Sequence, residues 1–116
     1  MSCRFSSETG PLTWFACERR RGNTTDEPAA GRVLILEANH RHRMPTGHVI
    51  YVEDAAPRGP GWYGLRISHT NYDRACSLET NVEAIFRGDA MTLDILTGAW
   101  RQWARGLRVA GFILGP

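Results

Sequence analysis

A small set of side chains in this sequence could do chemistry together. His48 follows a Thr46-Gly47 turn and opens the apolar run Val49-Ile50-Tyr51-Val52. A histidine so placed is either a polar residue ending a strand or a base held on a rigid element. To act as a base it needs a nucleophile to serve and an acceptor to orient its second ring nitrogen, because a freely rotating imidazole spends little time in the productive tautomer. Asn71 can supply the acceptor if the strand after His48 folds back beside it, and His69 stands two residues earlier on the same face of that strand. A cysteine thiol with a histidine and a polar orienting group is one of the known solutions for acyl transfer from amides.

The thiol must come from Cys3, Cys17 or Cys76. An odd count without a Cys-x-x-Cys spacing argues against a disulfide framework and against structural zinc, so at least one thiol is expected to be free. His40-x-His42 together with His48 invites a metal reading, but the first two lie among arginines that would repel a dication, and no metal is expected. Trp100 and Trp103, between Gly98 and Gly106, are expected to pack over the sheet rather than to stack on a sugar.

The elements that must position these groups are short. Thr13 to Arg21 reads as a helix with arginines in its last turn and Gly22 at the left-handed cap. Gly22 to Gly31 has turn composition, and Arg32 to Glu37 is an apolar, β-branched run expected to be a buried strand. After a loop from Asn39 to Gly47 comes a strand from His48 to Asp54. Ala55 to Gly61 closes a hairpin into a third strand, Trp62 to Tyr72, on which Tyr63, Leu65, Ile67, His69 and Asn71 share one face. The next segment reads in two ways: a helix capped by Ser77 carrying Val82, Ile85 and Phe86 and ending at Gly88, or a loop with a short strand. Met91, Leu93 and Ile95 alternate with polar residues, Thr97-Gly98 turns the chain, and Leu107 to Leu114 is a final strand. One or two helices followed by a mostly antiparallel sheet place the chain in the α+β class.

With 116 residues, 42% of them hydrophobic, the chain fits one domain with a modest core. Its apolar runs fall far below the roughly 18 residues that span a bilayer, and no charged start leads into an apolar secretion segment. Neither membrane insertion nor a signal peptide is expected. All fourteen basic residues are arginines, balanced to a net +2 by twelve acids. That charge is too small to imply nucleic-acid binding, and the clusters Arg19 to Arg21 and Arg41 to Arg43 read first as solvated faces.

Gly47-His48-Val49-Ile50-Tyr51-Val52-Glu53, the returning Ser68-His69-Thr70-Asn71-Tyr72, and Met91-Thr92-Leu93-Asp94 with Gly111-Phe112-Ile113 resemble CHAP domains, the cysteine- and histidine-dependent amidohydrolases and peptidases. The resemblance spans residues 13 to 114 and is specific over the two hairpin strands. It implies a papain-like α+β fold and cleavage of amide bonds in the peptides of bacterial peptidoglycan, without a cofactor. The residues it implies are Cys3, His48, Asn71 and His69 for catalysis, with Trp14 and Tyr72 against the substrate. Many members carry a Glu where His69 stands, which leaves Asn71 as the first choice for orienting the imidazole.

Two registers are open for the nucleophile. One lays Gly10-Pro11-Leu12-Thr13-Trp14 on the family's Gly-x-Cys-Thr-Trp, puts Leu12 where the thiol belongs and implies an inactive module that binds wall peptide or a protein partner. The other retains Cys3 as nucleophile and accounts for the Pro28 to Gly31 turn, and it is preferred on that ground. Cys17 fits neither, since five residues beyond Leu12 on a helix means roughly 140° around and 7.5 Å along the axis; it reads, like Cys76, as a structural residue. An active enzyme would reach the bacterial envelope by a route other than its own signal. A weaker alternative is binding of an anionic polymer through the arginine clusters, with steep salt dependence.

Overall fold

The computed structural model describes Cys3 and residues 10–70 and 77–115. A single helix, α1 (Pro11–Arg20), precedes the strands β1 (Thr24–Thr25), β2 (Val33–Leu36), β3 (His48–Gly59), β4 (Trp62–Thr70), β5 (Leu78–Arg87), β6 (Thr92–Ile95) and β7 (Leu107–Ile113). All pairings are antiparallel, in the order β1-β7-β2-β3-β4-β5-β6, and β6 pairs again with β7. Six strands therefore close on themselves. The expected papain-like α+β architecture is corrected by this: half of the chain is strand, arranged as a closed antiparallel barrel with one short helix.

The N-cap is Gly10, three residues before the expected Thr13. Pro11 occupies its first turn, where a missing N–H costs nothing and the fixed φ suits a helix. Arg19 and Arg20 sit in the last turn, favourable against the carbonyl end of the dipole, and Gly22 follows at φ 73°, donating its N–H to the carbonyl of Arg19 at 3.0 Å.

The apolar run of β2 is buried on both faces. Leu34 and Leu36 point into the barrel with Ile50, Val52, Phe86 and Phe112, while Ile35 faces outward and packs with Phe15 of α1 and Ile113. That explains why the run shows no alternation: the helix covers the outer face.

β5 corrects the helical reading of the segment after Ser77. Val82, Ala84 and Phe86 are buried and Glu83 is exposed, a period of two. Val82, Ile85 and Phe86 also match helical spacing, but the eight partner pairs with β4 and the rungs to β6 decide the matter. The expected loop from Ala55 to Gly61 is mostly strand as well. β3 runs on to Gly59, with register shifts between Val52 and Asp54 and between Pro57 and Gly59, and the chain turns at Pro60-Gly61.

Candidate functional site

His48 opens β3 opposite Leu36 of β2 and alternates inward with Ile50 and Val52, so its ring enters the end of the barrel rather than solvent. It is 3% exposed. His69, near the end of β4, faces the same space beyond Leu65 and Ile67, and a register shift between Ile67 and His69 adjusts its position against β5. The expectation that the far ends of this hairpin meet holds for these two histidines. His48 Nε2 and His69 Nδ1 lie 2.9 Å apart, with the rings nearly perpendicular.

Glu79, the cross-strand partner of His69 on β5, brings Oε1 to 3.5 Å from His69 Nε2. Its carboxylate also accepts from the N–H of Ala99, at 3.2 Å and 3.0 Å for the two oxygens. The 3.5 Å approach of Glu79 to His69 Nε2 is within ion-pair range but is not a hydrogen bond, so the direction of the bond between the rings follows from the tautomer of His69. With the His69 Nε2 proton turned to the carboxylate, Nδ1 is the acceptor and His48 Nε2 the donor. The result is a line of groups, His48 to His69 to Glu79, across three neighbouring strands.

Trp100, from the loop between β6 and β7, closes this end of the barrel. Its ring centroid is 4.7 Å from His48 and 4.6 Å from His69, and it is buried. Trp103 continues the stack, 4.8 Å from Trp100 and 3.9 Å from His42, where the two rings lie nearly parallel. Packing over a sheet face was expected of both tryptophans; Trp100 packs instead on the two histidines at the barrel end, and Trp103 packs against the core cluster.

Enclosure disfavours the charged form of both imidazoles. Burial, and then the neighbouring His69, lower the pKa of His48 from 6.5 to about 3. Burial also holds His69 below its ordinary value, against which Glu79 pulls upward through its charge. Replacing Glu79 by Gln keeps an acceptor for Ala99 but removes the charge. The His69 pKa is then expected to fall further in an NMR titration of the ring; an unchanged titration would show that the carboxylate is not coupled to it.

The thiol side of the expected site is corrected. Cys3 is bonded to Cys17 of α1 in a disulfide, so neither presents the free thiol that a nucleophile requires, and Cys17 is not merely a small buried residue. Cys76, Asn71 and Tyr72 lie outside the described residues. Trp14 packs with the Phe15, Ile35 and Ile113 cluster between helix and sheet. What stands at the start of α1 is Leu12: its N–H donates to the carbonyl of Thr46 at 3.1 Å, and its side chain lies against Gly47, the residue before His48.

Sequence reasoning missed Glu79 and the covering role of Trp100. Glu79 was legible only through a strand reading of its segment, which would have set it opposite His69. The disulfide had no signal in the spacing of three cysteines. No protein-family model, no curated protein and no solved structure matches the chain.

Proposed function

We propose that this chain is a non-catalytic binding module for peptides, the inactive alternative that the CHAP resemblance left open. The observation that carries the reading is Leu12 at the amino end of α1, tied to Thr46 and set against Gly47 beside His48. This is the position that the resemblance reserves for the nucleophile, and an aliphatic side chain can neither be deprotonated nor form an acyl intermediate. The disulfide between Cys3 and Cys17 supports the same reading, because it occupies the thiol on which the alternative register depends. So does the enclosure of His48 beneath Trp100, since a general base must come within hydrogen-bond reach of the proton that it removes. On this reading the imidazole pair and Glu79 organise the end of the barrel.

The test is a digest of purified peptidoglycan by wild type and by Leu12→Cys, with and without a reducing agent, followed by mass spectrometry. Wild type is expected to release no new peptide under either condition. Products that appear with wild type, depend on reductant and vanish in Cys3→Ala and His48→Ala would overturn the proposal and restore the hydrolase. Among the described residues no helix is long and apolar enough to cross a membrane.

A further inference from the structure

Away from the histidine pair, a groove of about 380 Å³ runs between the 3-10 turn His40–His42 and the segment that leads into β7. Its walls are unlike the barrel interior. Arg41 and His42 stand on one side, Arg105 and Arg108 on the other, and Glu37 is the acid among the lining residues. Leu36, Met44 and Leu107, all buried, close the floor, and Trp103 forms an aromatic wall stiffened by the His42 ring stacked on it.

The charges do not cancel. Glu37 Oε2 is 3.2 Å from Arg108 Nε, which neutralises one guanidinium. Arg105 is anchored through Nη1 on the carbonyls of Ile95 and Ala104, bonds that fix the head but bring no negative charge. Arg41 meets no acid among the described residues. Two cations are left facing a space with an apolar base. A guanidinium is a planar fork matched to an oxyanion, and an anchored one has already lost the rotational freedom that binding would otherwise cost.

Two guanidiniums without an acid partner among the described residues, over an apolar floor, suit a monoanion with a small apolar substituent better than a polyanion. Two guanidiniums cannot neutralise a chain of phosphates, and the volume is at the small end of ligand pockets, which run from about 300 to 1,000 Å³. We propose that this groove takes the C-terminal carboxylate of a peptide ending in a small apolar residue. The carboxylate meets Arg41 and Arg105, and the terminal side chain lies over Leu107 against Trp103. The inference rests on the peptide-binding reading above and gives it a site and a recognised group.

The experiment uses the full chain, titrated by NMR with acetyl-trialanine as the free acid, with the same peptide as its C-terminal amide, and with inorganic phosphate. The free acid is expected to shift the backbone resonances of Arg41, His42 and Gly106, and the amide to bind about 10-fold more weakly, the loss of one charge-assisted contact. Arg41→Gln, an exposed substitution, is expected to weaken the acid by about as much while leaving the rest of the spectrum in place. Equal binding of acid and amide, no binding of either, or an unchanged affinity in Arg41→Gln would overturn the assignment. Phosphate binding as tightly as the peptide would overturn the peptide and leave a bare oxyanion site. Hydrolysis of the peptide, read in the same samples, would overturn the non-catalytic reading alone, with the site still decided by the affinities.

Discussion

Brought from pH 7 to pH 4, the protein is expected to lose roughly 3 kcal/mol of unfolding free energy through His48 alone, with about 2 kcal/mol gone by pH 5. The sign follows from where the proton binds. In the unfolded chain His48 titrates at its ordinary 6.5; in the folded barrel its pKa is about 3. Above 6.5 both states hold the ring neutral and the full stability is present. As the pH falls from there toward 3 the unfolded state takes up a proton that the native state refuses, and the balance shifts toward unfolding. His69, also lowered by burial, acts in the same direction, moderated by Glu79. The measurement is urea unfolding at intervals between pH 7.5 and pH 4, compared with His48→Gln, whose amide can still bond to His69 but does not titrate. The variant should show a flatter acid limb. Parallel limbs would mean that His48 is solvated in solution and that the closed end of the barrel is open there.

Gly47→Ala is expected to cost about 3 kcal/mol or more, through strain that cannot be relieved by rotating a side chain. Gly47 has φ 88°, a conformation that L residues adopt at a cost of about 1–2 kcal/mol. A methyl there would also lie 2.4 Å from the carbonyl oxygen of Leu36 and 3.0 Å from Cγ of Leu12. The first of these is backbone, in the strand that pairs with β3 at His48, so either the β2–β3 register or the helix start has to move. Gly22→Ala supplies the comparison, since Gly22 also has positive φ but nothing within 4 Å of the added carbon. Thermal melts of the two variants separate strain from collision. If Gly47→Ala were no worse than Gly22→Ala, Leu12 and Leu36 would not approach this turn closely and the start of α1 would not be seated against it.

How far the sequence revealed the molecule depended on the range of each contact. The meeting of His48 and His69 was legible because it needs only a hairpin and the alternation of side chains along two strands. Gly22 as a helix stop was legible for a similarly local reason. The β5 segment was ambiguous because Val82, Ile85 and Phe86 satisfy a helical spacing while Val82, Ala84 and Phe86 satisfy a strand, and Ala84 is too small to announce its own burial. Barrel closure also requires β7 beside β2, with Val33 opposite Ile113 and Leu34 opposite Phe112, partners from nearly opposite ends of the chain, and no window of local pattern contains both. The same short antiparallel strands were therefore compatible with an open sheet under helices. The disulfide between Cys3 and Cys17 eluded the cysteine count because three sulfurs permit one bond and one free thiol as readily as none.

The closure has a mechanical side. β6 and β7 are joined by two rungs, supplemented by the bonds from Val109 N–H to Met91 and from Ile95 N–H to Ala104, whereas β4 pairs with β5 along nearly its whole length. The ring is thus a hoop with a clasp, and the clasp carries on one flank the Trp100 loop and on the other the arginines of the groove. With the fewest rungs in the ring, this seam has the least hydrogen bonding to lose, and it borders both the imidazoles and the basic cleft, while the long hairpins are held along most of their length.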